Sequence, residues 1–158
     1  MSAADSDAWY SDGLRFTCTQ CGNCCTGAPG YVYVTRKEIA TIAHFLAGRE
    51  GENGPASEST WLGKKHLRRV GTRFSLTEDN SNGDCCFLKR ENGKRICSIY
   101  PVRPLQCRTW PFWDISLESR EEWNRTATNC PGMNHGEHYD FVQIEIRRTA
   151  RCTEELPT

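Results

Sequence analysis

The sequence predicts a small single α+β domain, with short strands and helices around an irregular cysteine-rich metal-binding centre. The length of 158 residues is that of one domain. Strand and helix signals are short, and glycine- and proline-rich turns separate them. Ten cysteines give the chain an unusual density of thiols. These observations favour a fold whose stability depends partly on a bound metal.

The chain begins with a tail and a loop. Residues 1–14 are polar and have little to bury, which predicts a flexible N-terminal tail ahead of a cysteine-cluster domain over 15–158. The segment 17–30 contains four cysteines, several glycines and a proline. These residue types predict loops and tight turns there rather than a helix or a strand.

Regular structure is expected to start after this loop. The four residues 31–34, YVYV, predict a short strand. Thr35 followed three residues later by Glu38 is a capping box, which predicts a helix over 36–47. A second helix is expected over 60–69.

The second half is expected to contain a hairpin and further helices. In order, the sequence predicts a strand over 70–76, a hairpin around Asn92-Gly93, a helical turn after Pro104 that carries Cys107, a helix over 119–129 and a helix over 140–151. Asn-Gly is the preferred dipeptide of a two-residue hairpin turn. Ser119 with Glu122 is a helix-start signal. The apolar residues of the last helix also fit the alternation of a strand.

Composition excludes several classes of protein. Twenty Lys and Arg balance twenty Asp and Glu, so the net charge gives no clear pull toward nucleic acid. No apolar run approaches the roughly 20 residues of a membrane span, and the start of the chain lacks the features of a signal peptide. We therefore expect a cytoplasmic protein without a membrane partner. In that reducing compartment, dense cysteines indicate metal ligands or redox groups.

The strongest motif is Cys18-x2-Cys21-x2-Cys24, followed directly by Cys25. Two-residue spacers let one loop turn several sulfurs toward a metal, as in zinc knuckles and in iron–sulfur ferredoxins. The chain has no second C-x2-C pair, which disfavours a zinc ribbon made of two knuckles. Adjacent Cys24 and Cys25 are expected to point in different directions, so they serve two metals or share a bridging role.

The remaining ligands must come from later in the chain. Four cysteines lie at expected turns, strand ends or caps, where they can converge on the first loop: Cys85, Cys97, Cys107 and Cys130. Eight thiolates are enough for two zinc ions or two clusters, and one cluster with four spare thiols fits equally well. Thiolate charge needs compensation, and four arginines lie within a few residues of the ligands: Arg15, Arg95, Arg103 and Arg108. Arg103 and Arg108 are the predicted second shell.

Several linked motifs resemble those of the YkgJ-like cysteine-cluster family, described as a zinc- or iron-chelating CxxCxxCC domain. They are CTQCGNCC, the C-x-F-L element at 85–88, CSIYPVRPLQCRTWPFW and CPG. The resemblance covers about residues 16–132 and implies the same eight ligands. It aligns the family's downstream cysteine with Cys85, leaving Cys86 as a reserve ligand, and it does not reach Cys152.

Other signals carry less weight. His135 and His138 lie three residues apart near Cys130, but surface histidines are the favoured interpretation. The basic run over 64–69 predicts a solvated helix face, because no aromatic residues alternate with it, so no clear nucleic-acid binding is expected. Phosphate-loop, hydrolase and zinc-protease motifs are absent from the sequence.

Three functions remain open. The leading hypothesis is a metal-binding protein that holds iron, as an iron–sulfur cluster, or zinc, and acts in electron transfer, in metal handling or as an accessory module with a protein partner. The second is an iron–sulfur enzyme that modifies a protein side chain, an analogy with flagellin lysine methylases, whose cysteine motif looks similar. The third is a zinc-stabilised interaction module.

Overall fold

The computed structural model describes residues 7–27, 30–50, 62–63 and 65–150. Within them the regular elements, in chain order, are β1 (Leu14–Phe16), β2 (Tyr33–Val34), α1 (Arg36–Glu50), β3 (Leu67–Val70), β4 (Arg73–Leu76), β5 (Leu88–Glu91), β6 (Lys94–Cys97), α2 (Leu105–Thr109), α3 (Asp114–Leu117), α4 (Arg120–Ala127), β7 (Met133–Tyr139) and α5 (Phe141–Thr149). Helices lie beside small antiparallel sheets, which confirms the predicted α+β class.

The residues form two compact units, which we name by their place in the chain. Among the described residues, the terminal unit consists of residues 7–23 and Thr109–Ala150, and the central unit of those between Cys24 and Arg108. No described helix is long and apolar enough to cross a membrane.

The terminal unit has an aromatic core beneath the antiparallel pair β1–β7. Phe112 and Trp123, each 1% exposed, stack with ring centroids 5.8 Å apart, and Phe16 meets Phe112 edge to face. Such ring pairs add about 0.5–1.5 kcal/mol beyond the burial of their apolar area. Asp140 begins α5 with a complete capping box, in which Gln143 is the reciprocal partner.

The predicted tail is packed from residue 7 onward. Tyr10 is 9% exposed, and its hydroxyl donates a hydrogen bond to Glu145 at 2.8 Å. The indole N–H of Trp9 donates to the Leu117 carbonyl oxygen at 2.8 Å. The expectation of a tail differs from this result because two aromatic residues find apolar neighbours and polar partners far along the chain.

The central unit combines α1 with a three-stranded sheet of order β2-β4-β3 and the hairpin β5–β6. Its core consists of apolar residues from α1, the sheet and the segments around them: Val34, Ile39, Ile42, Ala43, Leu62, Leu67, Leu76, Phe87 and Ile99. Tyr33 and Arg68 both pair with Ser75 in the register, so the three side chains belong to one sheet face.

Local signals predicted two features of this unit correctly. Helix α1 begins at Arg36, and its capping box is closed by bonds from Thr35 N–H to Glu38 Oε2 (2.8 Å) and from Glu38 N–H to Thr35 Oγ1 (3.1 Å). The hairpin turns at Asn92 and Gly93, whose φ angles of 50° and 75° are those of a type I′ turn.

The helix expected over 60–69 is wrong at its C-terminal end. Residues 67–70 form β3, because pairing with β4 buries Leu67 opposite Leu76. The strand expected over 70–76 is interrupted by Gly71, whose φ of 60° belongs to the turn between β3 and β4. Tertiary pairing overrides local propensity in this segment.

Candidate metal centre

Five of the predicted ligands lie in the central unit. Cys24 and Cys25 belong to the 3-10 turn Asn23–Cys25, Cys97 ends β6 and Cys107 lies in α2. Cys85 is joined to the first pair through its N–H group, which donates to the Cys25 carbonyl oxygen at 2.8 Å. Segments distant in sequence thus contribute to one group of thiols.

Cys24 and Cys25 turn their side chains the same way. Their Sγ atoms lie 4.0 Å apart, so the expectation that adjacent cysteines diverge is wrong. Four sulfurs at about 2.3 Å around zinc are separated by about 3.8 Å, close to the observed distance. The pair can therefore approach one metal.

The thiols of the central unit influence each other's ionisation. Burial, together with the nearby thiols of Cys85, Cys24 and Cys97, raises the pKa of Cys107 to about 12. Burial is also the main cause of the raised pKa of Cys97, with Cys85 and Cys24 contributing. The five cysteines form one electrostatic group, in which a second thiolate is harder to form than the first.

The first negative charge of this group is expected on the hydrogen-bonded pair Cys24 and Cys25. A hydrogen bond with Cys25, with a smaller contribution from the Arg103 guanidinium, lowers the pKa of Cys24 to about 7. The same hydrogen bond raises the pKa of Cys25, and burial adds to the increase. One thiolate is thus accessible near neutral pH, whereas further ionisation requires a cation such as a metal ion.

Arg103 and Arg108, the predicted second-shell residues, have different neighbours. Arg103 acts electrostatically on Cys24, Cys97 and Cys107, and its guanidinium carbon lies 3.8 Å from the ring centroid of Tyr100. Arg108 donates through Nε to the Arg103 carbonyl oxygen at 3.0 Å and lies 4.0 Å from Glu38. Only Arg103 therefore acts directly on the thiols, while Arg108 supports its backbone.

Helix α2 positions Cys107 through contacts with two other elements. The N–H of Leu105 donates to Glu38 Oε1 at 2.6 Å, which ties the start of α2 to the start of α1. Gln106 donates to the Tyr31 carbonyl oxygen at 2.8 Å and accepts from Tyr33 N–H at 3.1 Å. The helix is only five residues long, so these bonds matter for its order.

The other predicted ligands, Cys18, Cys21 and Cys130, belong to the terminal unit. Cys18 and Cys130 both pack against its aromatic core. Their segments meet where Thr17 N–H donates to the Gly132 carbonyl oxygen at 3.2 Å. A Cβ atom on Gly132 would lie 2.1 Å from the Thr17 carbonyl oxygen, so only glycine permits this approach.

Comparison with known proteins identifies the family. A model named CxxCxxCC and described as "Putative zinc- or iron-chelating domain" matches residues 17–131. The chain belongs to the CxxCxxCC family. This result confirms the predicted resemblance, and the matched range contains all eight predicted ligands but not Cys152.

A relative and the solved structures were compared as well. A Methanocaldococcus jannaschii protein named "Uncharacterized protein MJ0661" is 34% identical over 103 residues, which are 65% of this chain and 48% of that protein. The chain thus spans about half the length of this relative. No solved structure matches.

Cys86, the reserve ligand, has different surroundings from Cys85 in this CxxCxxCC protein. Its Sγ lies 3.8 Å from the His66 carbonyl oxygen, and it lines a surface cavity of about 680 Å³ together with Lys65 and Arg68. Cys85 is one of the main causes of the raised pKa of Cys25 and of Cys107, whereas Cys86 is not. The two thiols nevertheless contact each other, because a hydrogen bond between them raises the pKa of Cys85 and lowers that of Cys86. Cys152 lies outside the described residues.

The CxxCxxCC thiols fit a soft or borderline metal by their chemistry. In the described part of the chain, no three His, Cys, Asp or Glu side chains already stand where they could hold a metal ion. Cys24 and Cys25 Sγ are nevertheless only 4.0 Å apart, and Cys107 is half-buried. Thiolates are ligands for zinc and for iron–sulfur clusters, so a bound metal would draw these side chains together.

Proposed function

We propose that this member of the CxxCxxCC family is a metal-binding protein whose central unit chelates iron or zinc through Cys24, Cys25, Cys85, Cys97 and Cys107. The observation that carries the proposal is the proximity of these thiols, with Cys24 and Cys25 Sγ 4.0 Å apart and Cys85 N–H bonded to the Cys25 carbonyl oxygen. Three of the five, Cys24, Cys97 and Cys107, also interact with the Arg103 guanidinium. Buried thiols without a cation are costly to ionise, and a metal removes that cost. Cys18, Cys21 and Cys130 of the terminal unit are proposed as further ligands.

The iron–sulfur form of this proposal gives the protein a redox role. A cluster held by cysteines supplies one-electron chemistry when it is bound. Arg103 would stabilise the thiolate charge, and the burial of Cys107 would limit access of water. Electron transfer, metal handling or support of an enzyme partner in a reducing compartment all follow from such a centre.

Zinc is the second candidate, and one distance favours it. The separation of 4.0 Å between Cys24 Sγ and Cys25 Sγ is close to the edge of a zinc tetrathiolate tetrahedron. A zinc site saturated by thiolates would be structural, and the module would then act by presenting its surface to a partner.

Anaerobic purification followed by metal analysis separates the two forms. Iron with acid-labile sulfide, a visible charge-transfer absorption and an EPR signal on reduction would support the cluster. A colourless protein with stoichiometric zinc would support the structural site. Protein of the whole 158-residue chain that retains neither metal after reconstitution with each would refute the proposal.

Two neighbouring variants test the ligand set sharply. Cys85→Ser is expected to lower metal content, because Cys85 belongs to the thiol group, whereas Cys86→Ser is expected to leave it unchanged. Cys107→Ser provides a second loss-of-ligand variant, at the half-buried thiol of α2. Equal metal content in Cys85→Ser and Cys86→Ser would show that the assignment of ligands is wrong.

A further inference from the structure

The zero net charge of the chain hides a strong asymmetry. Residues 24–108 carry fourteen Lys and Arg against eight Asp and Glu, a net charge of +6. The rest of the chain carries six against twelve, a net charge of −6. A zinc tetrathiolate in the central unit would reduce its charge by about two units, which leaves the unit basic. A basic unit attracts polyanions.

One face of the central sheet displays arginines and tyrosines in alternation. The rings of Tyr31 and Tyr33 stack at 5.8 Å with an angle of 24° between their planes. The guanidinium carbon of Arg68 lies 4.8 Å from the Tyr31 ring centroid, and that of Arg73 lies 3.8 Å from the Tyr33 ring centroid. We call these four residues the arginine–tyrosine ladder.

The ladder is held in place and remains accessible. Gln106 bonds to the backbone of Tyr31 and Tyr33 along the free edge of β2. Glu78 binds the Arg68 guanidinium through both oxygens, at 2.5 and 2.8 Å. Tyr31 nevertheless remains 53% exposed. An aromatic ring this exposed, on a braced strand, is available for a planar partner.

We propose that the arginine–tyrosine ladder binds single-stranded nucleic acid. Bases stack on aromatic rings and on guanidinium planes, and every base offers such a plane. Phosphates would be met by the cations of the adjoining strands, since residues 65–76 contain four Lys and Arg and no carboxylate. Arg68 is neutralised by Glu78, so it orients Tyr31. Positive charge is supplied by Arg73 over the Tyr33 ring and by Lys65, which lines the same surface cavity as Arg68.

From the sequence, the basic run over 64–69 is expected to be a solvated helix face, because the run itself contains no aromatic residues. The fold supplies aromatic residues from another segment. The sheet order β2-β4-β3 brings Tyr31 and Tyr33 beside Arg68 from more than 30 residues away. The combination of stacking groups and cations therefore exists in the fold and not in any continuous segment.

The test is a binding measurement on the metal-loaded full chain. Fluorescein-labelled oligo-uridylate and oligo-thymidylate of about 12 nucleotides are titrated with protein at several salt concentrations, and anisotropy is recorded. Tyr31→Leu is expected to weaken binding about fivefold or more, because it removes a ring plane. Tyr31→Phe keeps the plane and is expected to bind within twofold of the unchanged protein.

A charge variant and its matched control complete the test. Arg73→Ala is expected to reduce the slope of log affinity against log salt by about 0.7, the effect of one lost contact to a single strand. Lys94→Ala removes an equally charged residue from the exposed hairpin β5–β6 and is expected to leave the slope unchanged. Circular dichroism of each variant checks that it is folded.

Several outcomes would overturn the proposal. These are no binding of either oligonucleotide at low salt, equal binding by Tyr31→Leu and Tyr31→Phe, and an equal slope change for Lys94→Ala and Arg73→Ala. Polyglutamate of matched length is included as a polyanion without bases. If it binds as tightly as the oligonucleotides, the surface is a general cationic patch and the proposal is wrong. Binding of either oligonucleotide that depends on the Tyr31 ring supports it, and their affinity ratio identifies the preferred sugar.

Discussion

One carboxylate joins the two helices that frame the thiol group of the central unit. Glu38 Oε2 accepts from Thr35 N–H at 2.8 Å and caps α1, while Glu38 Oε1 accepts from Leu105 N–H at 2.6 Å at the start of α2. Glu38→Ala removes both bonds. The bond from the residue 38 N–H to Thr35 Oγ1 involves no side-chain atom of Glu38 and should remain.

The expected cost follows from these two bonds. Loss of a helix-capping interaction costs typically about 1 kcal/mol. Loss of a hydrogen bond to a charged group costs about 1.5–3 kcal/mol. Water replaces the carboxylate only in part, because the Glu38 side chain is 16% exposed. We therefore expect Glu38→Ala to lower the free energy of unfolding by about 2–4 kcal/mol, and Glu38→Gln, which keeps one acceptor, to cost about half as much.

Urea unfolding of the metal-loaded chain, followed by circular dichroism, measures this effect. Glu91→Ala is the matched control, because Glu91 is exposed in the hairpin, and its effect is expected to stay within about 0.5 kcal/mol. Since α2 carries Cys107, Glu38→Ala should also release metal to a chelator faster than the control. A loss of stability for Glu38→Ala no greater than that for Glu91→Ala would refute the reasoning.

Three further predictions concern other parts of the molecule. Gly132→Ala places a Cβ 2.1 Å from the Thr17 carbonyl oxygen and should cost about 1–3 kcal/mol, whereas Gly48→Ala, in open space on α1, should be neutral or stabilising; chemical denaturation of both distinguishes them. A hydrogen bond from Arg148 lowers the pKa of Glu145, so its contribution to stability is present above the ordinary carboxyl pKa of about 4.3 and is lost as the pH falls through the lower folded-state pKa. Unfolding measured between pH 3 and about pH 6 should therefore show a smaller acid-induced loss in Glu145→Gln, and an identical loss would contradict this. Removal of metal should increase hydrogen exchange at the Tyr33 amide, which bonds to Gln106 beside Cys107, and Gln106→Ala should do so with metal still bound; unchanged exchange in both would exclude this coupling.

The sequence predicted features that depend on a few neighbouring residues. The capping box of Thr35 and Glu38 and the Asn92-Gly93 turn are examples, because the bonds and the backbone angles are set within four residues. The position of Cys107 on a short helix after Pro104 was also predicted from local signals. The family motif predicted the cysteines of interest for the same reason, since its spacing is written directly in the chain.

Features that depend on distant partners could not be predicted in this way. Tyr10 appears in a polar segment, yet it is buried through its contact with Glu145, 135 residues later. Strand β7 is mostly exposed and polar, so its pairing with β1 leaves almost no periodic signal. Glu38 was recognised as a cap, but its second bond to Leu105 requires knowledge of how α1 and α2 approach each other. In each case the decisive partner lies in another segment.

Helix α2 connects the two proposed functional features of the central unit. Cys107 lies among the thiols, and its neighbour Gln106 holds the backbone of Tyr31 and Tyr33. Adjacent residues on a helix are rotated by about 100°, so one short helix can offer a ligand on one side and a brace on another. A five-residue helix has little stability by itself, and its order must come from external contacts. A metal that fixes Cys107 therefore also restricts Gln106, and through it the strand that carries the arginine–tyrosine ladder.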